Sequence, residues 1–253
     1  MTIASLTARS RPEEARAASR IAPVVRLHFA RRLNLLLVPL FVIGVTIVVT
    51  IVIQLAIQRA GADPSTAAYA ENARYNPGLA WALSGYLVAM GVATVASTFP
   101  LAAALGTTRR DFALGTAATH ALAALFLTAV FVGMLGLDLI TGHWFGGFYV
   151  FDVNVLGAGD PLVLGVVVFL GSWLALSAGG VFGAAWLRHG PRGPLAISVS
   201  VVALLAVVVL ATVPSFAAVA EAFRPWWLAV AAVGLTALSI AGTFAFLRRA
   251  SVR

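Results

Sequence analysis

The chain contains no cysteine. Disulfides, thiolate nucleophiles, Cys-ligated zinc and iron–sulfur clusters are therefore excluded. It contains no lysine either, so all 17 basic residues are arginine. That removes the phosphate-binding lysine of a P-loop, and any ATP the protein uses is expected to be hydrolysed on a separate chain. Acids are scarce as well, at 9 of 253 residues. Only 10% of residues are charged and 61% are hydrophobic, whereas a soluble domain carries about 25% charged residues. With a mean hydropathy of +0.98, the chain has too few polar groups to cover a globular surface, so its solvent is expected to be lipid. Neither H-E-x-x-H nor G-x-S-x-G occurs, which removes two signatures of enzymes. No catalytic residue, cofactor or metal site is expected in this chain.

What is present is a series of long apolar runs. A transmembrane helix needs about 20 apolar residues, and six windows qualify: 33–57, 79–105, 112–137, 161–187, 194–216 and 225–247. None contains Asp, Glu or Arg. The expected fold is an all-α membrane protein of six transmembrane helices forming a single domain over residues 21–253. Residues 1–20 are polar and rich in Arg, Ala and Ser, the composition of a disordered tail. Residues 21–32 mix apolar and basic positions, as an N-terminal interfacial helix would, with Val24, Val25 and Phe29 in the leaflet and arginines at the headgroups. A plain juxtamembrane anchor is the alternative. The first apolar run follows some thirty polar residues and lacks a small-residue cleavage site, so it is expected to be retained rather than removed as a signal peptide.

Six spans place both termini on one side. With that topology 14 arginines fall on the side of the termini and 3 on the other, which places both termini in the cytoplasm of a bacterial plasma membrane. The net charge of +8 is thus a topology signal rather than a nucleic-acid footprint, because the arginines flank apolar runs and form no aromatic-lined groove. Among the acids, Asp63, Glu71, Asp138, Asp152, Asp160 and Glu221 lie on the outer side, and Asp138 is expected to face water there. Residues 58–78 read as a loop, with Gly61, Pro64, Asn76, Pro77 and Gly78. Residues 141–160 are rich in glycine and aromatics. Trp144, Phe145, Phe148, Tyr149 and Phe151 fit an interfacial belt, or else an external gate over a pathway.

Few polar residues lie inside the runs. Thr46, Thr50 and Gln54 recur every four residues and so share one helix face. That face either lines a pathway or bonds a neighbouring helix. His120, the only histidine well inside a span, either titrates or bonds a neighbouring helix; alone it makes no metal site. Gly179, Gly180 and Gly183 form a small-residue patch with a G-x-x-x-G pair, which permits close helix approach. Pro39, Pro100 and Pro214 lie in or near spans and are expected to kink them.

One short turn stands out. Phe99-Pro100-Leu101 runs on to Leu105-Gly106-Thr107-Thr108-Arg109-Arg110-Asp111-Phe112 and then Gly115, between the second and third runs. The segment is too small to be a domain, yet two arginines, an acid and an aromatic give a soluble partner something to grip. It resembles the second cytoplasmic turn of ABC-2-type transporter permeases, in particular short actinobacterial-like forms, in which an apolar helix is followed by Leu-Gly-x-Thr-Arg-Arg-x-Phe and a small residue or glycine. The resemblance implies the transmembrane subunit of an ATP-driven ABC exporter. It implies that Gly106, Thr107, Thr108, Arg109, Arg110, Asp111 and Phe112 couple the chain to a separate ATPase subunit, which would bind ATP and Mg. Arg109 and Arg110 would pair with acids on that subunit, and Phe112 would pack in its groove or at the membrane boundary. A second permease copy, in a homodimer, would complete the pathway. Read without the resemblance, Arg109 and Arg110 are positive-inside markers of a stand-alone secondary transporter or a non-transporting anchor or signalling subunit.

Overall fold

The computed structural model describes residues 21–30 and 33–250; the polar segment 1–20 lies outside the described residues. Six helices are long and apolar enough to cross a membrane, and among the described residues there is no strand. In lipid a backbone must satisfy its own N–H and C=O groups, which leaves helices as the outcome for apolar runs of this length.

In chain order, α1 covers 21–29. A π-helical turn at Leu33–Leu37 leads into α2 (Val38–Arg59), with Pro39 in its first turn. A short α3 (Ala67–Arg74) is followed by α4 (Gly78–Ala104) and α5 (Arg109–Ile140). Next come α6 (Pro161–His189) and α7 (Arg192–Thr212), then a 3-10 turn at Val213–Ser215, α8 (Phe216–Ala222) and α9 (Trp226–Leu247). The span boundaries read from hydropathy hold to within a few residues. Two features differ. The segment 58–78 is not simply a loop, because Thr66 caps α3 by accepting a bond from the Tyr69 amide at 3.3 Å. The fifth run breaks at Pro214, which sits in the 3-10 turn, while Pro100 is carried inside α4.

The starts and stops have local causes. At α5 the Thr108 hydroxyl accepts from the Asp111 amide at 3.1 Å and donates to the Asp111 carboxylate at 2.8 Å, a reciprocal cap of the Ser/Thr-x-x-acid type. At α6 the Asp160 carboxylate accepts from the amides of Leu162 (2.8 Å) and Val163 (3.1 Å), with Pro161 next in line. Gly106, at φ +81°, ends α4.

Helix α6 is the axis of the bundle and packs against α4, α5 and α9. The G-x-x-x-G patch explains how. Gly179 lies against Gly91 of α4, and a Cβ on Gly183 would stand 2.6 Å from the Val92 carbonyl oxygen. Small residues let the two backbones touch, and close backbone contact is what drives helix association in lipid. Two apolar clusters bracket this crossing. The larger joins α2, α4, α5 and α6 to the 150–156 loop through Ile43, Leu83, Leu127, Phe131, Phe151 and Leu164. The smaller, at the arginine-rich end, holds Val24, Val95, Phe99, Phe112, Ala184 and Leu247. Helix α7 stands apart, with Gly193 as its only buried residue.

Candidate functional site

Two polar constellations lie at opposite ends of the bundle. The first, at the arginine-rich end, surrounds the turn between α4 and α5. Phe112 is fully buried and packs edge-on against Phe99, with ring centroids 5.2 Å apart. On its other side stands the His28 ring of α1, at 5.8 Å. His28 Nε2 lies 3.1 Å from the Thr116 hydroxyl, and Val24 fills the notch left by Gly115. Helix α1 is thereby docked on the first two turns of α5. Burial pushes the His28 imidazole down to about 4, so it sits neutral against the helix.

The arginines of this turn part company. Arg109 Nη1 donates to the carbonyls of Leu247 (2.7 Å) and Arg248 (2.6 Å), capping the end of α9. A guanidinium there meets orphan carbonyls and the negative end of the helix dipole. Arg110 is exposed. Phe112 is turned into the protein's own core, with 1% of it exposed. Arg109 is engaged within the chain. Gly106, Thr107, Thr108, Arg110 and Asp111 remain as the accessible face of the turn.

Deeper in, His120 is buried, with Nε2 3.1 Å from the Thr94 hydroxyl of α4. It bonds a neighbouring helix, one of the two roles open to it from sequence. The stripe on α2 also faces protein. Thr46 bonds back to the Val42 carbonyl at 2.8 Å. Thr50 is buried beside Asn76, 3.5 Å away. Gln54 is buried and pairs with the Tyr149 backbone in both directions, Nε2 donating to its carbonyl at 2.8 Å and Oε1 accepting from its amide at 2.9 Å.

That last pair belongs to the second constellation, at the opposite end of the bundle. The segment after α5 folds back over the bundle instead of spreading along the membrane surface. Asp138 is wholly buried, not water-facing. Its Oδ2 accepts from the amides of Phe151 (2.8 Å), Asp152 (3.3 Å) and Val150 (3.4 Å). Apolar surroundings would penalise a lone carboxylate by several kcal/mol, and three amide donors offset that loss of hydration. Asp152, also buried, takes Arg74 of α3 at 2.7 Å. This contact holds the guanidinium proton more firmly than usual. His143 stands between the two acids, Nδ1 3.4 Å from Asp138 and Nε2 3.9 Å from Asp152, and its ring stacks on Tyr149 at 3.9 Å. Burial raises the Tyr149 phenol above its ordinary range. Gln58 joins in, donating to the Tyr69 hydroxyl and the Gly146 carbonyl, both at 2.9 Å.

Of the aromatics assigned to an interfacial belt, Tyr149 and Phe151 are therefore core residues, while Phe145 is 88% exposed. Sequence reasoning missed this cluster because its members come from α2, α3, α5 and the 141–160 loop. The available signal was Asp138 itself, an acid in the last turn of α5 after a long apolar stretch. Among the described residues no group of His, Asp and Glu could hold a metal ion. In comparisons with known proteins the chain matches no family model, and no curated protein or solved structure is significantly similar to it.

Proposed function

We propose that this chain is the membrane subunit of an ATP-driven exporter in a bacterial plasma membrane. In this reading both termini are cytoplasmic, α1 lies along the inner leaflet, and a second copy completes the translocation pathway. The ATPase, with its ATP and Mg, is a separate soluble subunit that engages the α4–α5 turn. One observation carries the reading: the turn presents Thr108, Arg110 and Asp111 outward while its inner side is tied to three helices. Phe112 links it to α4 and α1, and Arg109 links it to α9. A push on such a turn moves packed helices as a body, which is the shear or rocking motion that alternating access requires.

A second reading has an observation of its own. Asp138 and Asp152, both buried, form an ionisable set with the half-buried His143 at the outer end of α5, and such groups mark proton or ion pathways in membrane proteins. That favours a stand-alone secondary transporter.

The deciding experiment is affinity purification of the tagged chain from its native membrane in mild detergent, followed by mass spectrometry. A stoichiometric soluble ATPase is expected. Its absence from an otherwise intact complex, together with proton-coupled flux in liposomes holding only this chain, would overturn the exporter reading in favour of the second.

A further inference from the structure

Where α6 and α9 end and α7 begins, the bundle leaves a groove of about 530 Å³, within the 300–1,000 Å³ typical of small-ligand sites. Helix α7 comes closest to α6 at its start, where Gly193, the one buried residue of α7, rests on the Ala185 carbonyl. The groove's walls are the apolar flanks of Ala196, Ile197 and Val201, with Phe246 of α9 also lining it. Its mouth is basic. Arg192 and His189 line it, and the Arg188 guanidinium stands 5.9 Å above the Phe246 ring. His189 meets the same ring edge-on at 5.8 Å.

We infer that this groove is a binding site for one anionic phospholipid, with an acyl chain between α7 and α9 and the phosphate at Arg188 and Arg192. The chemistry of the two ends demands an amphiphile. The walls, apolar apart from Ser200, favour an acyl chain, and the mouth offers guanidiniums to a phosphate, with which they form strong charge-assisted bonds. Basic pockets between helices at the cytoplasmic end recognise anionic headgroups in this way. Charge also argues against a second copy of the chain as occupant. The described residues at this end of the bundle include Arg26, Arg109, Arg110, Arg188, Arg192, Arg248 and Arg249 against Asp111 alone, and Thr108 already holds that acid. Two copies meeting here would set arginine against arginine. The inference stands apart from the exporter reading and holds for either transport mechanism.

The test is native mass spectrometry of the full chain in detergent, titrated with dioleoylphosphatidylglycerol or dioleoylphosphatidylcholine. The wild type should retain phosphatidylglycerol in clear preference. The Arg188→Gln, Arg192→Gln double variant should lose about tenfold of that binding, since each arginine near an anionic headgroup contributes appreciably. Ala196→Trp, which fills the groove and keeps both arginines, should weaken it comparably. Arg224→Gln, at the other end, should change nothing, and free glycerol phosphate should not compete. Equal retention of the two lipids, or undiminished phosphatidylglycerol binding in both groove variants, would overturn the site. Competition by glycerol phosphate would point to a free phosphate instead. A dimer that falls apart with Ala196→Trp while lipid binding persists would make the groove a contact between copies.

Discussion

Gly91 of α4 and Gly179 of α6 lie back to back, so close that a Cβ on Gly179 would stand 2.9 Å from the Gly91 Cα. The same Cβ would collide with the Val88 carbonyl oxygen, which is backbone and cannot swing aside. Alanine at either position should therefore force the helices apart, at a cost of about 1–3 kcal/mol for overpacking. Gly44→Ala is the matched control, because nothing lies within 4 Å of the added methyl and α2 gains helix propensity there. Thermal stability followed by tryptophan-detected size exclusion should fall for Gly91→Ala and Gly179→Ala and hold or rise for Gly44→Ala. Equal behaviour of all three would show that the crossing is looser than the contact distances require.

At the opposite end of the bundle from the α4–α5 turn, Asp138→Ala leaves the amides of Val150, Phe151 and Asp152 buried without their acceptor. Each such group costs about 1–3 kcal/mol, so the 148–153 segment should detach before the bundle unfolds. Hydrogen exchange should show lost protection at 150–152 with little change in α6. Asp138→Asn keeps one acceptor oxygen and should fall in between. A uniform loss of protection across all helices would mean that the segment and the bundle unfold as one unit.

The contrast between these two sites shows what the sequence carries. The spans were legible because each is a long apolar run, and lipid leaves such a run one way to satisfy its backbone. The glycine patch was legible as a packing surface because its spacing places Gly179 and Gly183 on one face. Its partner, Gly91, was not, since nothing in a sequence says which helix comes alongside. The cluster around Asp138 was illegible for a similar reason. Gln54 meets Tyr149 and Arg74 meets Asp152 across separations of 95 and 78 residues. A polar residue near a helix end reads the same whether water or a folded loop covers it. Arg109 is the sharpest case, because its carbonyl partners lie 138 and 139 residues away.

Docking of α1 should depend on pH through His28. Burial holds the docked imidazole at about 4, while an undocked histidine has an ordinary value near 6.5. Above pH 6.5 both states are neutral and the docking is fully stable. As the pH falls from 6.5 toward 4 the undocked state takes up a proton that the docked state refuses, so stability is lost, by at most about 3 kcal/mol. Below 4 the loss levels off. The wild-type melting temperature should therefore decline through this window more steeply than that of His28→Gln, which lacks the titrating group. Parallel curves for the two proteins would remove His28 as the source.

The two arginines of the α4–α5 turn should separate stability from partner binding. Arg109 serves the fold, because Nη1 holds the last carbonyls of α9. Arg109→Ala should lower thermal stability by about 1 kcal/mol or more, as loss of a charged helix-end contact does, and should loosen the end of α9 in hydrogen exchange. Arg110 is exposed, so Arg110→Ala should leave the melting temperature unchanged. If the turn receives the ATPase, that silent substitution is the one that should reduce co-purification of the ATPase and transport. Arg109→Ala should affect association only in proportion to its instability, and Arg109→Lys, which retains a cation for the α9 carbonyls, should restore both together. A full complement of ATPase on Arg110→Ala would place the partner's contact elsewhere on the arginine-rich face, because no other basic side chain of this turn is free to make it.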